Sequence, residues 1–331
     1  MRFSQWGELA FHRWLVERFG QRSGGSIGND AAVVEVGGVR VAITVDVSVD
    51  GVHFQAGWLT WREIGYRAAC ANISDLAAAC AEPLGVMASL GVPPDVASEA
   101  ICEVTQGIAE AGEQFSAPLL GGDTSASPVL FIDIVAFGVQ RAAWSRSRAA
   151  PGDVLAVTGQ LGAPSAAVAL LKAGLSEDFE AWPVLRARFA RPVPRVREAL
   201  ALAAAGVQVN AAIDLSDGLL LDASRLCEAS GVSATIFADS VPVAEGVPEA
   251  ADLLGRCPLE FAVAGGEDYE LLLALPSAQF DRAAEALAGA GCSIAKIGEI
   301  GQGSGVAVVD STGRELHFPA AGYEHYGGRT S

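Results

Sequence analysis

Six aspartates of this 331-residue chain sit in apolar or glycine-rich sequence, where a carboxylate is costly unless something pairs with it. They are Asp30 in Ile27-Gly28-Asn29-Asp30-Ala31, Asp46 in Ile43-Thr44-Val45-Asp46 and Asp75 in Asn72-Ile73-Ser74-Asp75-Leu76. Asp123 follows in Gly121-Gly122-Asp123-Thr124, then Asp214 and Asp217 in Ile213-Asp214-Leu215-Ser216-Asp217-Gly218. A single such residue is as readily a helix N-cap or a turn. Six together point to a shared cation, because most have no lysine or arginine within a few residues. A hard divalent ion with oxygen ligands meets that need, and Mg²⁺ typically joins carboxylates to substrate phosphates. With glycines that let a phosphate approach the backbone, the pattern suits phosphoryl transfer, where catalysis is mainly positioning and charge neutralisation.

Other phosphotransferase and hydrolase patterns are excluded by what surrounds the candidate residues. The two lysines, Lys172 and Lys296, do not follow glycine, so there is no Walker A loop, and no His-Arg-Asp or Asp-Phe-Gly occurs. Gly24-Gly25-Ser26-Ile27-Gly28 fits a nucleophile-elbow pattern, but a polar stretch precedes it instead of a strand. Gly301-Gln302-Gly303-Ser304-Gly305 reads as a turn between late strands. His12, His53, His317 and His325 lack metal-ligand spacing, which argues against zinc, and His12 reads as structural.

A net charge of −17 argues against nucleic acid and anionic membrane partners. With so few lysines, phosphate charge must be met by arginine, backbone N–H groups or metal ions. Cys70, Cys80, Cys102, Cys227, Cys257 and Cys292 show no Cys-x-x-Cys pairing and read as buried free thiols in a reducing compartment. No run approaches the roughly 18 apolar residues of a membrane span. Glu8 interrupts the position where a signal peptide carries its apolar core. The expectation is a soluble cytoplasmic protein.

The elements that must position these residues alternate along the chain. Ala31–Val36 and Val41–Val49 read as strands joined by Gly37-Gly38. A helix over Trp61–Ala81 stops before Pro83, followed by a strand near Met87–Val92, a helix over Val96–Gln114 and a strand over Leu130–Val139. Arg141–Gly152 reads as a linker. Beyond it come a strand at Val154–Thr158, helices at Ala163–Lys172 and Arg195–Ala205, strands at Val232–Phe237 and Glu270–Leu275, a helix at Gln279–Ala290 and short terminal strands. This predicts an α+β fold of the α/β-sandwich type. An N-terminal domain over 1–150 has a mixed β-sheet with flanking helices, and a C-terminal α/β domain over 151–331 completes the site.

The motifs, in order and over nearly the whole chain, resemble thiamine-monophosphate kinases of the aminoimidazole ribonucleotide synthetase-like superfamily. Beyond the aspartate motifs, the resemblance rests on Gly7-Glu8, Asp50-Gly51-Val52-His53-Phe54, Ser145-Arg146-Ser147 and Pro151-Gly152-Asp153. It also includes Gly265-Gly266-Glu267-Asp268-Tyr269-Glu270 and Gly322-Tyr323-Glu324-His325-Tyr326. It implies ATP-dependent phosphorylation of thiamine monophosphate to thiamine diphosphate by direct in-line transfer. Several Mg²⁺ ions would be held by Asp30, Thr44, Asp46, Asp75, Asp123, Asp214 and Asp217, with Val45 contributing only its carbonyl. The resemblance places ATP against Phe115, Gly122, Asp123, Arg146 and Ser216. It places thiamine monophosphate against His53, Glu267 and the Tyr323 region, and it implies a homodimer formed through the N-terminal sheets.

Three departures stand out. Asn29-Asp30 replaces two adjacent aspartates, Val45-Asp46-Val47 replaces Thr-Asp-Thr, and Tyr326 replaces a phenylalanine. Two alternatives stay open: another ATP-dependent synthetase of the superfamily, or a catalytically impaired nucleotide-binding relative.

Overall fold

The computed structural model describes residues 2–20, 27–175 and 179–323. Helices α1 (Phe3–Trp6) and α2 (Glu8–Phe19) precede strands β1 (Ala32–Val36) and β2 (Val39–Val49). Then follow α3 (Trp61–Ala78), β3 (Ala81–Val92), α4 (Ser98–Gln114), β4 (Leu119–Ala126) and β5 (Phe131–Gln140). The five strands form one sheet in the order β1-β2-β5-β3-β4, antiparallel except for the parallel β3–β4 pair.

Helix α3 carries the Asn72–Ala77 motif and is fixed through its first two turns. Thr60 caps it: the Thr60 Oγ1 accepts from the Glu63 amide at 3.3 Å, and Glu63 accepts from the Thr60 amide at 2.9 Å. Against α4 it packs backbone to backbone. A Cβ on Gly65 would lie 1.9 Å from the Val104 carbonyl, and one on Gly107 1.8 Å from that of Arg62. The helix stops at Ala78, three residues short of the sequence expectation, and β3 begins at Ala81 and runs through Pro83. Pro83 is tolerated because a bulge between Pro83 and Gly85 interrupts the pairing with β5 at that point.

The second half contains β6 (Asp153–Thr158), α5 (Ala163–Lys172), α6 (Pro183–Ala190), α7 (Val196–Ala204), β7 (Ala211–Asp214) and α8 (Leu219–Ser230). It continues with β8 (Ser233–Phe237), α9 (Val247–Leu254), α10 (Pro258–Ala264), β9 (Leu271–Pro276), α11 (Phe280–Gly289), β10 (Ile294–Gly301), β11 (Gly305–Val309) and β12 (Glu315–Leu316). Its seven strands order as β12-β11-β8-β10-β6-β9-β7. Every residue of β6 is buried: Val154 and Ala156 join one core and Leu155 and Val157 another, so helices cover both faces. Two mixed sheets with helices give the expected two-domain α+β architecture.

Helix α3 and the turn that follows it contact the second half. Ser74 donates to Asp214 at 2.7 Å, the Cys70 thiol to the Pro192 carbonyl at 3.5 Å and the Cys80 thiol to the Ala199 carbonyl at 3.6 Å. All six cysteines are free, but Cys102 and Cys257 are exposed, which corrects the expectation that all are buried. Both lie where their side chains face outward, one on α4 and one just before α10. Among the described residues, no helix is long and apolar enough to cross a membrane.

Candidate active site

Four segments deliver carboxylates to one place between the sheets. Asp30 comes from the turn before β1, Asp46 from β2, Asp75 from the last turn of α3, and Asp214 and Asp217 from the end of β7 and the turn into α8. Oxygens of Asp30, Asp75 and Asp214 all lie within 4.8 Å of one another. Neighbouring polar groups orient them. Thr44 Oγ1 donates to Asp75 in a short hydrogen bond, and Ser74 Oγ donates to Asp214. The Asn72 Oδ1 accepts from the Asp46 amide at 2.9 Å.

The charge here is unbalanced. Arg146 pairs with Asp30 at 2.5 Å, and Arg225 pairs with Asp217 at 2.5 Å and with the buried Asp222 at 2.8 Å. Six carboxylates therefore meet two guanidiniums. The effect on ionisation follows. Burial, then the charges of Asp46, Asp214 and Asp30, push Asp75 well above the usual carboxylate range. Burial and then Asp30 do the same to Asp214. Solvent reaches Asp46, yet the protein packed around it, followed by Asp217 and Asp30, raises it to about 6. Asp222, desolvated and facing Asp217, rises to about 7. Asp75 also sits where the helix dipole is negative, so its place on α3 is unfavourable for a lone anion. The donor set is all oxygen, close-spaced and short of protein cations, and it fits hard divalent ions such as Mg²⁺. Beside Asp30 lies a cavity of about 290 Å³ whose lining includes Asn29, Arg40, Ser145, Ser147 and Arg148.

Residues 28–140 match the AIR synthase related protein, N-terminal domain, and residues 150–311 match the corresponding C-terminal domain. A thiamine-monophosphate kinase of Rhodopirellula baltica is 35% identical over 273 residues, 80% of this chain and 79% of the relative. That of Pyrococcus horikoshii is 30% identical over 316 residues, 96% of this chain and 95% of the relative. The chain belongs to the thiamine-monophosphate kinase family. The solved structure of AaThiL complexed with AMPPCP and TMP superimposes with a TM-score of 0.87 and 28% identity, covering 98% of this chain and 99% of that one. Hydrogenase maturation protein HypE in complex with ATP, at 20% identity and a TM-score of 0.69, shares the fold.

Of the six aspartates expected to converge in this kinase-family chain, five do and Asp123 does not. Asp123 is exposed on edge strand β4, in register with Ser89, Asp133 and Val47, one step from the row of Gly122, Ala88, Ile134 and Asp46. That step puts it on the opposite face of the sheet from Asp46. Three strand spacings also separate β4 from β2, roughly 14 Å. Gly122 is pressed against β3, where a Cβ would lie 1.7 Å from the Ala88 carbonyl. Phe115 is buried in the core at the end of α4, which leaves little of its ring for a ligand. Val45 and Val47 are exposed on the face away from Asp46, so their lost hydroxyls would not have pointed to the Asp46 side. Asn29 accepts from the Arg146 amide at 3.0 Å and so holds that arginine's backbone.

Of the expected substrate residues, Glu267 and Tyr323 lie together beside the turn into α8. The Tyr323 amide donates to the Asp217 carbonyl at 2.9 Å, and the Glu267 amide donates to the Ser216 carbonyl at 2.7 Å. Burial, then Asp217, Glu267 and Glu8, raise the Tyr323 phenol above its usual value. His53 accepts from the Val49 amide through Nδ1 at 3.0 Å, in the turn after β2. Tyr326 and its neighbours lie outside the described residues.

Sequence reasoning passed over Arg67, Asn72, Ser74, Asp222 and Arg225. Asn72 and Ser74 carried a usable signal, being polar residues beside Asp75 in an otherwise apolar helix. Arg225 carried one too, three residues beyond Asp222 and eight beyond Asp217, whereas Arg67 carried none and Arg146 entered on the family motif with its partner unforeseen. Arg146 is 116 residues from Asp30, and Arg67 is 200 from Glu267.

Proposed function

We propose that this chain transfers the γ-phosphoryl group of ATP to thiamine monophosphate, giving ADP and thiamine diphosphate. The observation that carries the reading is the surplus of carboxylates around Asp30, Asp75 and Asp214, in a family whose relatives carry the thiamine-monophosphate kinase name. Two negatively charged reactants cannot approach such a cluster without cations. Several Mg²⁺ ions, when bound, supply the positive charge that neutralises both phosphates.

The chain's own groups have assignable roles in this proposal. Asp30, Asp46, Asp75, Asp214 and Asp217, with Thr44 and the Val45 carbonyl, hold the ions. Arg146, released from Asp30, and Ser216 bind the nucleotide. Gly122 of β4 and the adjoining Phe115 are kept in the nucleotide set on family resemblance, whereas Asp123 stands outside the metal set this one chain assembles. His53, Glu267 and Tyr323 bind thiamine monophosphate. The acceptor phosphate attacks directly in line, with no phosphoenzyme, since the cluster offers ligands rather than an activated nucleophile. We divide the chain at residue 150, with Asp30, Asp46 and Asp75 before it and Asp214, Ser216 and Asp217 completing the site after it.

We also propose a cytoplasmic homodimer. Val34, Val36, Ile43, Val45, Val47 and Met87 are exposed on one face of the five-stranded sheet, an apolar surface suited to a second copy. ADP release measured with and without thiamine monophosphate tests the activity. Turnover should require the acceptor and keep rising with Mg²⁺ beyond one ion per nucleotide. Absence of acceptor-dependent ADP would remove the kinase reading.

A further inference from the structure

We propose that Arg67 is a positioning residue that sets the Glu267 carboxylate for the thiamine moiety, holding it at a fixed spacing from the metal-binding Asp75. This rests on the assignment of Glu267 to thiamine monophosphate made above.

The backbone around Glu267 is pinned without Arg67. Glu267 and Tyr269 have φ of +68° and +52°, left-handed values that side-chain-bearing residues adopt only when held there. The amides of both donate to the carbonyls of Ser216 and Leu215, and Asp268 accepts from the Gly162 amide at 2.9 Å. Beyond them Glu270, fully buried, is locked by Arg195, Arg188 and Thr158. None of these contacts touches the Glu267 side chain, whose three torsions leave its carboxylate free to sweep a wide arc.

Arg67 closes that freedom. Its Nη2 lies 2.5 Å from Glu267 Oε1, its Nη1 donates to the Phe189 carbonyl, and its guanidinium stacks 4.4 Å from the Phe189 ring centroid. With 6% of its surface exposed and both ends of the fork engaged, the guanidinium has one orientation. Arg67 and Asp75 stand eight residues apart on α3, about 12 Å along the axis. One rigid helix therefore sets the distance between an acceptor-binding carboxylate and an ion-binding carboxylate. In-line transfer is sensitive to that distance, since a displacement of about 1 Å can cost roughly 100-fold.

The test uses the full-length protein with Arg67→Lys, Glu267→Gln and the double variant. Lysine keeps the charge but cannot hold Glu267, the Phe189 carbonyl and the ring at once. Thiamine monophosphate is titrated calorimetrically into protein saturated with AMPPCP and Mg²⁺, and AMPPCP is titrated separately. Arg67→Lys should weaken thiamine monophosphate binding about 10- to 100-fold, leave AMPPCP binding within about twofold and raise KM for the acceptor more than it lowers kcat. On the Glu267→Gln background, Arg67→Lys should add no further loss. Unchanged acceptor binding with a lowered melting temperature would make Arg67 a structural strut and overturn the proposal, as would equal losses for both ligands or losses that multiply in the double variant. Wild-type binding without turnover would remove the proposed reaction but leave the positioning role to be read from the same titrations.

Discussion

Replacing Asp75 by asparagine separates a ligand from a core contact. Asparagine keeps the volume and an oxygen that can accept from Thr44, so the packing at the end of α3 is preserved. Oxygens of Asp75, Asp30 and Asp214 lie within 4.8 Å. At an effective dielectric of about 20, two unit charges at that spacing repel by about 3.5 kcal/mol. Without cations this repulsion disfavours the charged form of Asp75, which burial and its neighbours push well above the usual carboxylate range. In Asp75→Asn a neutral amide replaces a group whose charge is already disfavoured there, and the metal-free melting temperature should not fall by more than a few degrees. With ions bound the balance reverses. An anionic ligand then contributes an attraction taken as of the same order as that repulsion, about 3.5 kcal/mol, or between two and three powers of ten at about 1.4 kcal/mol each. ADP release with thiamine monophosphate should fall by about that factor, and the rise in melting temperature on adding Mg²⁺ should shrink. Turnover within threefold of wild type would refute the reasoning. So would a parallel collapse of activity and metal-free stability, which would make Asp75 a structural group.

Two further outcomes follow from the same charge pattern. Asp46 and Asp222 rise from ordinary carboxylate values to about 6 and about 7, so between about pH 4 and 7 the folded state binds more protons than the unfolded chain. Metal-free stability should therefore fall as pH rises through that window, and saturating Mg²⁺ should flatten the slope; a melting temperature that climbs from pH 5 to 7 without metal would contradict this. Glu270→Gln leaves Arg195 and Arg188 facing a neutral amide in a fully buried site, so it should cost about 3–5 kcal/mol in urea denaturation; a loss under 1 kcal/mol would show that the network is dispensable.

How legible the molecule was depends on the range over which each feature is encoded. Thr60-Trp61-Arg62-Glu63 starts α3 through contacts three residues apart, and β2 and β5 carry their own apolar patterns, so local sequence placed them. Leu119–Ala126 has no such pattern. Its strand exists because β3 lies alongside, with Gly122 letting the backbones meet. The end of α3 at Ala78 and the passage of β3 through Pro83 were likewise settled by pairing with β5 and not by local propensity.

By itself the sequence determined which chemistry is affordable: an acidic chain with aspartates in apolar motifs needs cations, whatever its fold. Only the tertiary structure decided which acids meet. Asp30, Asp75 and Asp214 meet because α3 lies between the two sheets, with Asp46 and Asp217 near enough to act on each other, while Asp123 lies on the other face of its sheet because side chains alternate across a strand. The arginines that hold Asp30 and Glu267 are tertiary choices too. An ion pair depends on separation in space, and nothing in a linear chain records that separation for residues 116 or 200 positions apart.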